Sequence, residues 1–194
     1  MRRAGRVVGE ILDIIEAEIR PGVSTAHLDA LAETHIRKSG ATPSFKGYPG
    51  INPRRPFPAS VCISIDDEIV HGIPGERTIR AGQIVSVDAG AIVDGWHGDG
   101  ARTFYVGEPP PRVAQLIDLT RSAMMAGIAA AVPGAYLGDI SAAIDGIRTP
   151  SRRARPSAAL YSSRRRRIPR RRKRRTCGRV IFCHIGSVGT KPSC

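Results

Sequence analysis

Asp88 and Asp99 stand in the stretch Val85–Phe104, VSVDAGAIVDGWHGDGARTF, with ten residues between them. Asp94-Gly95, inside that interval, is a dipeptide that strongly marks a two-residue hairpin loop. With those two residues in the loop, Val93 faces Trp96 and Gly90 faces Asp99. Asp88 precedes Gly90 by two residues, so it points to the same face and lies diagonal to Asp99, within carboxylate reach of a shared site. Val85, Val87, Ile92 and Val93 supply apolar surface to bury, so the acidic face is not an ordinary solvated one. Two carboxylates converging from adjacent strands look like half of a site for divalent cations, which take hard oxygen donors. The bland alternatives are a strand aspartate bonding a loop amide at Asp88 and a turn aspartate at Asp99. Asp94 is read as turn chemistry. His97 shares the face of Asp99 and is read as a cross-strand packing residue, with a supporting role left open.

The elements that must position this pair can be read outward from it. Upstream, Val7, Val8, Ile11, Leu12, Ile15 and Ile19 form a helical stripe from Arg6 to Ile19, stopped by Pro21-Gly22. A second helix starts after Ser24-Thr25, with Leu28, Leu31, Ala32 and Ile36 inward, and stops at Ser39-Gly40. Residues 41–58 hold five Pro and two Gly and read as loop. ASVCISID alternates as a strand, Asp66-Asp67 is a turn candidate, and EIVHGIP continues extended as far as Pro74. Downstream, Pro109-Pro110-Pro111 punctuates the chain. A helix follows from about Arg112 to Ala131, with Val113, Leu116, Ile117, Met124 and Ile128 as its apolar face. A shorter helix begins near Asp139 as N-cap, with Ile140, Ala143, Ile144 and Ile147 apolar.

The organisation repeats. A helix, a Pro-Gly stop and a short helix occur at 6–38 and again at 112–147, and IRPGVSTAHLDALAE is echoed by AVPGAYLGDISAAID. A β unit with two carboxylates follows the first helix pair; none follows the second. Two similar helix pairs in an ordinary α/β protein are the plain alternative.

The net charge of +13 conceals two compositions. Residues 1–145 hold all 17 acidic residues and 14 of the 30 basic ones; residues 146–194 hold the other 16 basic residues and no acid. From Arg148 the text has arginine runs and no periodicity before a short VIF, so it cannot bury enough apolar surface to offset its ordering entropy and reads as disordered. Nearly all of its basic residues are Arg, and Arg, Ser, Pro, Ala and Gly are what a GC-rich gene yields out of frame. A frameshift near residues 146–150 is the favoured explanation; a genuine nucleic-acid-binding tail is the alternative. No apolar run approaches the ~20 residues of a membrane span, and acidic residues interrupt any leader-like N-terminal stretch, so a cytoplasmic protein without membrane partners is expected. Cys62, Cys177, Cys183 and Cys194 include no CxxC pair, so neither a disulfide framework nor a zinc finger is indicated.

FPASVCISIDDEIVHGIPGERTIRAGQIVSVDAGAIVDGWHGDGARTFYVGE closely resembles the type I methionine aminopeptidases, metallopeptidases of the pita-bread (creatinase/aminopeptidase-like) fold. The joint pattern is specific: IDDEIVHGIP, then Asp88 and Asp99 at their spacing, then RTF. The resemblance runs from about Arg2 to Ile147. It implies an α+β fold with a complete first pseudo-repeat and a truncated second, residues 1–147 being the N-terminal part of the peptidase domain and 148–194 a non-family tail. It implies removal of the initiator methionine from nascent polypeptides, met at the ribosome, by a two-metal site of cobalt, manganese, iron or zinc in a monomer. By position, Asp88 and Asp99 match metal ligands, and His71 matches the histidine that contacts substrate beside the scissile peptide. Tyr48, Phe57 and Cys62 fall where the family lines its methionine pocket. GINPRRP looks like an insertion there, and plain core is the alternative for those three residues. His71 has a structural loop histidine as its alternative.

The chain departs from the family downstream. The remaining ligands of the family are a histidine in a GHGIG-like strand and two glutamates, and no glutamate follows Glu108. His184 in CHIGSVG stands too late and is set aside as a decoy. The chain as written is therefore expected to lack activity and to be poorly soluble. Two other readings stay open: a non-catalytic relative binding RNA or ribosomes through the tail, non-specifically as any arginine-rich segment would, and a prolidase-like relative, which the HGIP and RTF context disfavours.

Overall fold

The structure, a computed structural model, describes residues 1–49 and 54–147. The arginine-rich tail and His184, along with part of the expected insertion, lie outside the described residues. Two compact units are present, and the first holds residues 1–109.

In the first unit the two upstream helices form as their stripes require. Helix α1, Arg2–Glu18, buries Ala4, Val7, Val8, Ile11, Leu12 and Ile15. Helix α2, Thr25–Lys38, buries Thr25, Leu28, Ala32 and Ile36. Ser24 caps α2: its Oγ accepts from the His27 N–H at 3.2 Å, an interaction worth about 1 kcal/mol. Helix α1 starts four residues earlier than its apolar stripe, because polar residues extend a helix as readily as apolar ones.

The sheet contains β1 (Thr42–Pro43), β2 (Val61–Ile65), β3 (Ile84–Val93) and β4 (Trp96–Tyr105), all antiparallel. β3 is central: β4 pairs along its length on one side, while β1 and β2 pair with its two ends on the other. Asp94 (φ 51°) and Gly95 (φ 75°) occupy the two positive-φ positions that a tight hairpin requires. Alternation then sorts the strand side chains. Val85, Val87, Ala89, Ala91 and Val93 join the helices in one core, together with Val61, Ile63 and Phe104. Burying these side chains is worth roughly 1.5–3 kcal/mol each for the larger ones. The start of β2 is pinned by Asp29, whose carboxylate accepts from Ser60 N–H at 2.8 Å and Val61 N–H at 3.0 Å. Burial raises the pKa of Asp29 against the opposing pull of those two bonds.

EIVHGIP is not a strand. Asp66 adopts φ 58° and His71 φ 61°, and either left-handed residue breaks an extended run. The segment still lies along β2, where the Ile63 N–H donates to the Gly72 carbonyl at 2.9 Å. Residues 41–58 are mostly loop as expected, apart from the two residues of β1.

The second unit contributes α3 (Pro111–Ala130) and α4 (Leu137–Asp145). They pack through Gly127, where a Cβ would stand 2.8 Å from Ile144. The expected inward face of α3 is not buried as a whole: Ile117 is, while Leu116 and Ile128 are exposed. Asp139 is not the N-cap of α4. Tyr136 takes that position, and Asp139 reaches back from the first turn to accept the Tyr136 N–H at 2.7 Å. No described helix is long and apolar enough to cross a membrane.

Candidate metal and substrate site

One face of the sheet is packed by α1 and α2, and the other carries Asp88 and Asp99. The observed register pairs Gly90 with Asp99 and Asp88 with Ala101, which sets Asp88 diagonal to Asp99 as the turn dipeptide requires. β2 adds Cys62 directly opposite Asp88 on the other side of β3. Asp88, Asp99 and Cys62 therefore converge on one patch, from three neighbouring strands.

Their electrostatics are coupled. Burial, then the negative charge of Asp99, then a hydrogen bond with Asp99 push the Asp88 carboxyl up to about 6, with His71 pulling the other way. A half-buried carboxylate facing another is costly when both are ionised, and a divalent cation between them removes that cost. By donor type the pair fits hard, oxygen-seeking ions. Among the described residues no group of three or more His, Cys, Asp or Glu could hold a metal, so the pair by itself is an incomplete ligand set.

Cys62 is 6% exposed, and burial followed by the charges of Asp88, Asp99 and Asp29 pushes its thiol up to about 12. It is a neutral thiol near neutral pH, neither a thiolate ligand nor a nucleophile. A soft, apolar wall is what it offers.

His71 is exposed and near enough to Asp88 to act on its charge. Its backbone is held by the next residue. Gly72 has no room for a side chain, since a Cβ there would overlap the Ile63 carbonyl. The Gly72 N–H donates to Ser64 Oγ at 3.1 Å.

Tyr48 and Phe57 are drawn together by backbone bonds: the Phe57 N–H donates to the Tyr48 carbonyl at 2.9 Å, and the Gly47 N–H to the Phe57 carbonyl at 2.8 Å. Phe57 is half-buried and Tyr48 is 65% exposed. The aromatic ring set over the face of Asp88 and Asp99 is a different one, Phe45. Its Cε1 would lie 2.8 Å from a Cβ at Gly90, the residue opposite Asp99. Ser44 beside it approaches equally closely and bonds His97 Nδ1 through its Oγ at 3.1 Å. His97 is exposed, stands opposite Ile92 in the ladder and is tied through its ring to a loop hydroxyl. A glycine inside a strand is a signal of close approach by another group, and Gly90 marks the spot that Phe45 covers.

Comparison with known proteins adds the wider context. Residues 1–160 match the model of metallopeptidase family M24. Methionine aminopeptidases from Clostridium acetobutylicum and Mycobacterium tuberculosis are 50% identical over 145 residues and 49% identical over 146. Those alignments take in 74% and 75% of this chain but 56% and 53% of the relatives. A crystal structure of methionine aminopeptidase from Rickettsia prowazekii superimposes with a TM-score of 0.70 at 40% identity, over 75% of this chain and 56% of that one. The chain spans about half the length of the curated relatives it matches, and its described part has their pita-bread architecture.

Proposed function

Because the chain belongs to metallopeptidase family M24, we propose that Asp88 and Asp99 are ligands for a pair of divalent ions in a site built to act on an N-terminal methionine. The observation that carries this reading is the diagonal carboxylate pair, poised beside His71 and a neutral Cys62, in a chain so similar to methionine aminopeptidases. Divalent ions held by these carboxylates would supply Lewis acidity for peptide hydrolysis when bound. Asp88 and Asp99 would hold the ions through their carboxylate oxygens, with the Asp88 proton competing only below about pH 6. His71 would donate a hydrogen bond to the substrate peptide, from a backbone held beside β2. Cys62 and the nearby aromatic residues would receive the thioether side chain, which favours soft, polarisable, apolar surroundings.

The chain as written supplies two of the carboxylates such a site needs, so we infer that it binds divalent metal weakly and lacks peptidase activity on its own. Cobalt, manganese, iron and zinc all suit the donors present. The experiment joins residues 1–147 to the remaining segment of the Clostridium acetobutylicum relative. Metal-dependent cleavage of Met-Ala peptides but not Xaa-Pro peptides, lost in Asp88→Asn, is the expected result. Cleavage of Xaa-Pro peptides would put a prolidase-like function in its place. Methionine release by the unmodified 194-residue chain would overturn the inference that it is inactive. The arginine-rich residues after 147, taken as a segment outside the peptidase domain, would give salt-dependent RNA binding that deletion abolishes.

A further inference from the structure

His71 stands at φ 61°, and among the described residues none is hydrogen-bonded to it. Its orientation is therefore inherited from its neighbours along the chain. A residue with a side chain prefers negative φ, so an untethered loop would let His71 relax and swing its imidazole away from Asp88. Three ties oppose that relaxation.

The first is Gly72, whose carbonyl accepts the Ile63 N–H and whose N–H donates to Ser64 Oγ, both on β2. The second closes the neck of the loop. Arg77 lays its guanidinium on the Glu68 carboxylate, Nη1 donating to Oε1 at 2.8 Å and Nη2 to Oε2 at 2.7 Å. Glu68 Oε2 also accepts the Ile65 N–H at 2.9 Å, at the end of β2. One carboxylate thus joins β2 to both ends of the segment Glu68–Arg77. The third tie is at Gly75. The Thr25 hydroxyl, buried at the first residue of α2, accepts the Gly75 N–H at 2.9 Å and donates to the Gly75 carbonyl at 3.0 Å. The Ala26 N–H donates to the same carbonyl at 2.9 Å, and the Thr25 N–H donates to the Arg77 carbonyl at 3.0 Å. First-turn amides find no partner inside their own helix; here they grip the far side of the His71 loop.

These ties give direction more than stability. Glu68 and Arg77 are 38% and 47% exposed, and pairs so wet hold little energy. Their fork-on-fork geometry nevertheless fixes the relative orientation of the two loop ends. A hydroxyl bonded to both the N–H and the carbonyl of one glycine likewise permits a single placement of that residue.

We propose that Thr25 and the Glu68–Arg77 pair are positioning residues for His71, clamping its loop so that the imidazole stands beside Asp88 before any ligand arrives. The proposal rests on the reading of His71 as the group that meets the substrate peptide. A donor held in place beforehand loses less freedom when the peptide binds.

The test uses the full chain with isotope-labelled histidine, in chelator at pH 8, read by NMR of the ring resonances. His71→Ala assigns the His71 signal. Asp88→Asn removes the charge beside His71 and is expected to shift that signal in the native chain. In Thr25→Val, and separately in Glu68→Gln, the shift produced by Asp88→Asn is expected to shrink about twofold or more, because the imidazole then samples several orientations. Thr25→Ser keeps the hydroxyl and is expected to restore the native response. Arg77→Lys keeps the charge but loses the fork, and is expected to behave as Glu68→Gln does. His97, bonded to Ser44, keeps its native resonance wherever the sheet is intact; should Thr25→Val lose that resonance, the exposed Glu68→Gln decides alone. A His71 signal that ignores Asp88→Asn in the native chain overturns the proposal. So does an undiminished response in Glu68→Gln, or Thr25→Ser behaving as Thr25→Val. No metal and no turnover enter the measurement, so failure of the clamp leaves the metal reading of Asp88 and Asp99 standing, and failure of Mn2+ to bind that pair leaves the clamp standing.

Discussion

Asp88 stands diagonal to Asp99 across the β3–β4 ladder, and burial together with the nearby Asp99 carboxylate pushes its carboxyl up to about 6, so it holds its proton only below that pH. The unfolded chain has no such contact. The Asp88 carboxyl is held at about 6 in the fold against an ordinary 3.8. The folded state therefore binds more protons than the unfolded one between those values. By linkage the metal-free chain loses stability as pH rises through that window, by about 1–3 kcal/mol in all. Asp88→Asn removes the titration and keeps the shape. In chelator at neutral pH it is expected to raise the thermal midpoint, and below pH 3.8 that gain disappears. Urea midpoints across the pH range check this; equal slopes for both proteins would contradict it.

A divalent ion between the two carboxylates would offset their mutual repulsion, so its effect is read on the same pair. A ligand at one hundred times its dissociation constant stabilises by about 2.7 kcal/mol. Mn2+ is expected to raise the thermal midpoint of the native chain and to leave Asp99→Asn nearly unmoved. Asp94→Asn is the control: Asp94 sits in the same hairpin, but in its turn, paired with exposed Arg3. An equal response in all three proteins would place the ion elsewhere.

His71 is held at φ 61°, a conformation that costs a non-glycine residue about 1–2 kcal/mol. His71→Gly and His71→Ala both remove the imidazole and differ in how the backbone tolerates that angle. The glycine variant is expected to be more stable than the alanine variant by about 1 kcal/mol, less whatever its unfolded state gains in entropy. Chemical denaturation of the two, side by side, gives the difference.

The hairpin was legible because two independent signals agree on it. Asp94-Gly95 sets the loop and the alternation from Val85 sets the faces, so the Gly90–Asp99 pairing and the placement of Asp88 follow. α1 and α2 were legible from their stripes and from the breaks at Pro21-Gly22 and Ser39-Gly40. Phe45 over Gly90 was not, because that contact joins residues far apart in the chain and no periodicity reports it. The path through His71 was missed for a local reason: a β-prone text, EIVHGIP, is overridden by left-handed angles at residues other than glycine. Asp139 shows the ordinary ambiguity of helix starts, since an acidic residue serves equally well as cap or in the first turn.

The thiol of Cys62 should resist alkylation. Burial and three nearby carboxylates raise its pKa to about 12, so the reactive thiolate is scarce at pH 8. Iodoacetamide followed by peptide mapping is expected to leave Cys62 unmodified in the folded chain and to label it fully in urea. Asp88→Asn removes one of those charges and is expected to quicken labelling of the folded state. Rapid labelling of native Cys62 would remove it from the wall of the site.

Arg102 poses a question of balance. Its side chain is 8% exposed, and Nη1 is shared by Asp13 at 2.8 Å and Glu16 at 2.6 Å. Its Nε is buried without a partner, a deficit of about 1–3 kcal/mol. Both carboxylates keep water, at 70% and 41% exposure, so neither is stranded when the guanidinium leaves. An unbranched apolar side chain can occupy the same path beneath α1. Arg102→Met is therefore expected to lie within about 1 kcal/mol of the native chain, following the general behaviour of buried ion pairs replaced by apolar groups. Arg102→Ala, which also loses the packing of the stem, should cost about 2 kcal/mol or more. Urea unfolding of both variants distinguishes packing from charge: an equal loss in Met and Ala would show that the ion pair, and not the stem, holds α1 on β4.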